Sequence, residues 1–352
     1  MTQILMSELS RVAQTDLQVT VLMAVYNGEK HLREAIDSVL GQTFNNFEFL
    51  IVDDASTDGT AEILRSLSDS RIRIIRNNEN MGLPKSLNRG LELARGEYIA
   101  RIDADDIAIP TRIERQAQHL DEHLEVGLVV SGVKVINERG DVVYISECHA
   151  SSEAIHYNLL FYNCIFHSSA MFRASTVSAL GGYDEGFPRA SDYDLWSRIN
   201  TVSRIDCISA PLTAWRDSAG NMSTVFKREQ DDAAYRIFVH NIETLLGTFN
   251  DIEKIVCFQD EGFPERRAIV TYDALRKLER IQQQLIESCP AWLDRNELKT
   301  FCERKMRFYL ELFFAGHQFY DLTRALRHAR FRKLLFEQVR HRTGMLNKRN
   351  NG

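Results

Sequence analysis

The chain has 352 residues, 44% of them hydrophobic and 26% charged, the balance of an ordinary globular protein with one large domain or two smaller ones. No apolar stretch is long enough to cross a bilayer, and the amino terminus lacks the basic start and apolar run of a secretory signal. The six cysteines form no Cys-x-x-Cys and keep no zinc-like spacing with histidine, which predicts reduced thiols in a cytoplasmic protein. The net charge of −6 is unevenly spread: from Ala291 onward fourteen Lys or Arg face six Asp or Glu, so the remainder is strongly acidic.

Residues 1–16 read as an extension. Leu17 to Val25 is a nearly continuous apolar run, the signature of a strand buried on both faces. Tyr26-Asn27-Gly28-Glu29 turns into a helix whose apolar positions are Leu32, Ala35, Ile36, Val39 and Leu40. A second strand, Phe47 to Val52, ends in Asp53-Asp54-Ala55-Ser56-Thr57-Asp58-Gly59-Thr60, several of whose side chains suit the cap of a helix over Ala61 to Leu67. A third strand is expected over Ile72 to Arg76. The loop Asn77 to Gly82 then opens a helix with Pro84 in its first turn, Gly96 just past its end, and an apolar stripe of Leu83, Leu87, Leu91 and Ala94. Tyr98 to Arg101 forms the fourth strand. Alternation of this kind predicts an α/β fold, a doubly wound and mostly parallel sheet.

Such sheets bind ligands at the carboxyl ends of their strands. Those ends carry Tyr26-Asn27, Asp53-Asp54 and Ile102-Asp103-Ala104-Asp105-Asp106. Along a strand direction Asp103 and Asp105 share a face, and two neighbouring carboxylates suit a hard cation such as Mg²⁺ or Mn²⁺ that also holds phosphates. A lone Asp-x-Asp is usually a solvated turn; three polar clusters on one crevice are not explained that way. Neither a Gly-x-Gly-x-x-Gly fingerprint nor a Walker lysine loop is present.

Val21 to Gly28, Ile51 to Thr60 and Ile102 to Asp106, in that order, resemble the successive motifs of family 2 glycosyltransferases, inverting enzymes of the GT-A fold. The resemblance runs from about Leu17 to Thr224 and points to the type that builds bacterial surface polysaccharides. It implies a nucleoside pocket around Ala24, Tyr26, Asn27, Glu29, Asp53 and Asp54, with Asp54 meeting the base. It implies ribose, diphosphate and metal contacts at Asp103, Ala104 and Asp105, Asp105 being the surer ligand. Lys85 and Asn88 would line the donor pocket or be plain helix-surface residues. The donor would be a nucleotide-diphosphate sugar, UDP-linked by preference, and the acceptor a glycan or lipid-linked glycan.

After Pro110 the spacing predicts a helix with Ile113, Ala117 and Leu120, a strand over Gly127 to Val135, a hairpin turn at Asn137 to Asp141, and a helix over Ser151 to Leu160. His167 would either face the acceptor sugars or serve packing; by the resemblance, Tyr183 and Trp196 also lie on that side. A helix should begin near Asp192, the residue that matches the second member of the family's acidic pair and hence its catalytic base. Ser191 stands where the first member often stands, and Asp194 falls on another face of that helix. Relatives often carry an aromatic, Arg, any residue, then His; here Trp215-Arg216-Asp217-Ser218 has serine at the last position, so no histidine ligand is assigned and Arg216 is expected to steady the diphosphate.

The glycosyltransferase domain is expected over 17–228 and a helical carboxyl-terminal region over 229–352, with helices at Gln230 to Leu246, Ala268 to Ser288, Asn296 to Phe314 and Leu322 to Val339. The basic residues of the last stretch alternate with Leu322, Leu326, Phe331, Leu334 and Leu335, which fits either a packed helix with a solvated face or peripheral contact with an anionic membrane; nucleic acid is not expected. Two other classes fit parts of the pattern. A metal-dependent phosphoryl-transfer enzyme would need a Lys at a later strand end, which is missing. A nucleotide-sugar binder without turnover is suggested by Ser191 and Ser218.

Overall fold

A computed structural model describes residues 17–148, 150–218, 220–247 and 272–315. The expected extension at 1–16, the start of the helix read from Ala268, and the basic stretch after Ala315 lie outside the described residues. Contacts divide the chain into two units, 1–151 with 165–233, and 152–164 with 234–352.

In the first unit β1 (Val19–Val25) and β2 (Phe47–Asp53) are buried at every position, as strands covered on both faces must be. β3 (Ile72–Arg76), β2, β1 and β4 (Tyr98–Arg101) lie side by side and parallel. Between them run α1 (Leu32–Leu40), α2 (Thr60–Arg65) and α3 (Leu83–Leu93). The chain winds outward from β1 to β3 and then returns to the other flank of β1, so the order reverses between β1 and β4. A crevice opens there, outside the carboxyl ends of both strands.

Beyond β4 the sheet becomes mixed. Its full order is β3-β2-β1-β4-β8-β6-β9-β5, with β7 (Val142–Ser146) paired to β6 (Val126–Ile136). β8 (Met171–Arg173) is antiparallel to β4 and β6; β9 (Arg204–Arg216) is parallel to β6 and antiparallel to the two-residue β5 (Ile107–Ala108). The core on one face joins Met23, Ile36, Phe49 and Ile51 with Ile113, Ala117 and Leu120 of α4 (Arg112–Glu122).

Two glycines fix how α3 meets the sheet. A Cβ at Gly90 would lie 2.3 Å from Leu22 Cδ1, and one at Gly96 2.3 Å from the backbone nitrogen of Thr20. Gly96 is therefore required by backbone approach to β1 rather than as a helix terminator.

The thiol expectation needs correction. Cys148, just past β7, is bonded to Cys207 on β9, with Cα atoms 6.2 Å apart. Both strands flank β6, which brings together two cysteines 59 positions apart in sequence. Among the described residues, Cys164, Cys289 and Cys302 form no disulfide.

The second unit is helical: α5 (Ser152–Asn158), the later turns of α9 (Lys227–Leu246), α10 (Tyr272–Glu287) and α11 (Arg295–Ala315). Residues 152–164, which the sequence reading placed within 17–228, belong here. Tyr157 and Phe161 pack with Phe238, Leu278, Leu298 and Met306, an apolar set that the sheet face does not supply. Among the described residues no helix is long and apolar enough to cross a membrane.

Candidate active site

The loop after β1 is stapled to the loop after β2. Asn27, at φ 52°, takes Ser56 Oγ at its backbone N–H and accepts from the Thr57 N–H at Oδ1 (2.8 Å); Glu29 Oε2 accepts from the Gly59 N–H (2.7 Å). Ala55, at φ 59°, is a side-chain-bearing residue in the left-handed region, a strained conformation that tends to be kept at functional loops. Tyr26 is half exposed, while Ala24 is buried in β1.

Both adjacent carboxylates are committed. Asp53 is buried, accepts from the Ser56 N–H (2.9 Å) and pairs with Arg76. Asp54 accepts from Asn77 Nδ2 (2.7 Å), the Met81 N–H (2.8 Å) and the Gly82 N–H (2.9 Å). Asp54 thus pins the loop that opens α3. The sequence reading pointed its carboxylate at the base; here Oδ1 takes two of these hydrogen bonds and Oδ2 one, which leaves an acceptor position on Oδ2. Asn88 exchanges two hydrogen bonds with the Tyr183 backbone, and Lys85 is exposed, 4.0 Å from Glu185.

Past β4 the acidic cluster folds over a buried cation. Arg101 is fully buried and donates to Asp103, whose other oxygen accepts from Ser168 Oγ (3.0 Å). Burial opposes the Asp103 charge, but Arg101, with help from Ser168, holds its carboxyl below the ordinary range. Among the described residues no side chain donates to Asp105 in this way, and burial and the Asp103 charge push it up to about 6. Asp106, buried and facing both, is raised well above the usual value for the same reasons. Ala104 packs against the core edge.

The far wall comes from β8 and α7 (Ser191–Val202). His167 Nε2 lies 2.9 Å from Tyr183 Oη, and burial together with Arg101 lowers the imidazole to about 3, so the ring is neutral. Tyr183 is pushed up mainly by burial; Arg101 opposes the shift, and the charges of Asp192 and Asp103 add to it. Asp192 stands half-buried in the first turn of α7. Asp194 is buried and bound to Arg198 Nη2 at 2.6 Å. Trp196, expected to face the acceptor, is instead fully buried, edge-on to His167 and packed on Phe172. Tyr183 is only 2% exposed. Both are drawn inward because α7 lies on the sheet through this aromatic face.

Arg216, at the end of β9, is 1% exposed and makes hydrogen bonds with Asp105, Asn137, Glu138 and Glu34. It has no open face for a diphosphate. Ser218 donates to Asn221, and beside it a cavity of about 400 Å³ is lined by Asn137, Glu138, Arg139, Asp217, Ser218 and Thr224.

The donor set fits a hard divalent cation. Asp105 carries a carboxyl with no side-chain hydrogen bond, raised by a neighbouring carboxylate, and a cation there removes that repulsion. Among the described residues no three His, Cys, Asp or Glu form a complete cage, so Asp105 and Asp103 would need water and substrate phosphates as further ligands, which is how Mg²⁺ is ordinarily held.

The profile of glycosyl transferase family 2 matches residues 20–177, from β1 past the acidic cluster. An uncharacterized glycosyltransferase of Haemophilus influenzae is 32% identical over 252 residues, 68% of this chain and 77% of its own length. The chain belongs to glycosyltransferase family 2. The O-antigen biosynthesis glycosyltransferase WbnJ of Escherichia coli is 33% identical over 51% of this transferase and 71% of WbnJ. The crystal structure of S. aureus TarS 1–349 in complex with UDP-GlcNAc shares the fold, with a TM-score of 0.56 at 18% identity over 85% of this chain and 91% of that one. Four residues that the sequence reading did not single out, Arg101, Ser168, Arg76 and Asn77, hold these carboxylates in place. A charged residue inside the apolar strand Tyr98–Arg101 was the one available signal.

Proposed function

We propose that this transferase moves a sugar from a nucleotide-diphosphate sugar, UDP-linked by preference, to an acceptor hydroxyl with inversion, in the assembly of a cell-surface polysaccharide or glycolipid. The observation that carries the reading is that β1, which leads into the Tyr26 loop, pairs with β4, which leads into Asp103 and Asp105, while Asp192 stands half-buried in the first turn of α7. The WbnJ name and the nucleotide sugar bound to TarS support the substrate class.

Tyr26 is placed to stack on the base, and the stapled loops keep that platform fixed. Asp192 accepts the proton of the acceptor hydroxyl; the helix amino terminus favours the ionised carboxylate that a base requires. The hydroxyl oxygen then bonds to the anomeric carbon from the face opposite the diphosphate, and the nucleoside diphosphate leaves with the electron pair. A divalent cation on Asp105 and Asp103, when bound, offsets the charge that develops on the leaving diphosphate. Arg101 keeps Asp103 ionised throughout.

The test is a screen of nucleotide-diphosphate sugars for slow release of nucleoside diphosphate, with Mn²⁺, with Mg²⁺ and with EDTA. Metal-dependent release is expected with at least one donor, and Asp105→Ala should lower it about 10²-fold or more. Full release in EDTA would exclude the metal, and release of inorganic phosphate alone would exclude glycosyl transfer.

A further inference from the structure

We infer that Arg216 is a positioning residue, a buried clamp that fixes the Asp105 loop against the amino-terminal helix rather than a ligand of the donor diphosphate. The inference rests on the function proposed above. Its starting point is how the guanidinium spends its hydrogens. Nε donates to the Asp105 carbonyl at 2.9 Å, Nη1 to the carbonyls of Asn137 and Glu138 at 3.2 and 3.3 Å, and Nη2 to Glu34 Oε2 at 2.6 Å. The Arg216 backbone adds two more links: its N–H donates to Asp106 Oδ1 (2.8 Å) and its carbonyl accepts from Asn221 Nδ2 (2.8 Å).

The residue therefore ties four segments, three by its side chain and the last by its backbone carbonyl. They are the acidic loop, the β6–β7 turn, α1, and the stretch after β9. The fork of donors on a guanidinium suits this task and an ammonium does not, because Lys carries its hydrogens on a single point. The clamp is needed where it is. Asp103, Asp105 and Asp106 share one partly buried loop, and Arg216 holds it at the Asp105 carbonyl and, through its own N–H, at Asp106 Oδ1. Holding the Asp105 carbonyl fixes where the Asp105 carboxyl points. Glu34 sits one turn into the helix that follows the Tyr26–Glu29 loop, so the same contact joins the nucleoside side to the metal side. The ion pair between Lys30 and Glu138 secures the β6–β7 turn to the entrance of α1 from the other direction.

Partners of this kind, one step removed from a metal ligand, set its orientation, and losing one typically weakens metal binding by about 10- to 100-fold. The test uses the full chain with UDP and GDP as probes, titrated with and without Mn²⁺, and compares the parent with Arg216→Lys and Glu34→Gln. Expected is Mn²⁺ binding to the nucleotide complex weakened about tenfold or more in Arg216→Lys and more mildly in Glu34→Gln, with metal-free nucleotide affinity unchanged in both; Arg216→Lys also melts lower, because an ammonium cannot reach all the carbonyls that the guanidinium bonds, while Glu34→Gln melts as the parent. If Arg216 bound the diphosphate itself, metal-free affinity would fall in Arg216→Lys and stay at the parent value in Glu34→Gln, which overturns the clamp. A common loss of both affinities with a lower melting temperature would reduce the contact to folding alone and also overturn it. Should Arg216→Lys not fold, Glu34→Gln decides, since Glu34 is half exposed. A parent that binds neither nucleotide in Mn²⁺ refutes the proposed function, and the clamp with it.

Discussion

Two carboxylates on α7 differ only by their surroundings, and that difference assigns their roles. Asp194 is buried against Arg198, which also holds the carbonyls of Leu180 and Gly182, so it is part of the scaffold. Asp192, two positions earlier, is half-buried in the first turn of the helix, and its charge acts on Tyr183. Asp192→Asn should leave melting and nucleotide binding unchanged while transfer falls about 10²-fold or more. Asp194→Asn should do the reverse and cost about 1–3 kcal/mol of stability by leaving Arg198 short of its partner. Equal loss of transfer in both variants, without a change in melting, would reverse the assignment. A second prediction at this scale concerns pH. Asp105 is raised to about 6 by burial and by Asp103, and a cation held there would need the ionised form. Above pH 6 the proton is already gone and Mn²⁺ affinity in the nucleotide complex should be flat. Below pH 6 a proton competes, and affinity should fall about tenfold per pH unit. A flat titration from pH 5 to 8 would contradict this.

At the scale of elements, Gly96 should be irreplaceable for a reason that helix-end rules do not contain. An added methyl meets the backbone of Val19 and Thr20, at 2.5 and 2.3 Å, and β1 has no slack because it is paired on both sides. Gly96→Ala should therefore cost about 3 kcal/mol, more than Gly90→Ala, where the obstacle is the mobile end of Leu22. Denaturant titration of the two variants checks the order. The first four strands were legible because burial on both faces leaves unbroken apolar runs such as Val21–Val25 and Phe49–Val52. β8 and β9 were not. β8 is three residues long, and β9 follows β6 through register shifts around Ser131–Gly132–Val133 that break any period of two. The acidic cluster was legible for its position at a strand end. Its supports were not, because Ser168 and Arg216 reach Asp103 and Asp105 from more than sixty positions away. The Cys148–Cys207 bond escaped notice for the same reason.

At the scale of the whole molecule, the acidic bulk and the basic end of the sequence predict a division of labour. Arg324, Arg327, Arg330, Arg332, Lys333, Arg340, Arg342, Lys348 and Arg349 crowd the last stretch, which lies outside the described residues. Each basic residue near an anionic surface contributes about 1 kcal/mol. The transferase should therefore sediment with anionic but not neutral liposomes, in a salt-sensitive way, and deletion of 322–352 should abolish this while donor hydrolysis persists. Equal sedimentation with both liposome types would show that charge is not the cause. The central claim is single displacement in the crevice between β1 and β4, and the stereochemistry of the product reads it directly. The measurement is proton NMR of the sugar first released from an α-linked nucleotide sugar in the presence of Mn²⁺, taken before mutarotation. With water as the acceptor, the account predicts the β-anomer at the earliest times, lost together with turnover in Asp192→Asn. Initial release of the α-anomer would contradict it.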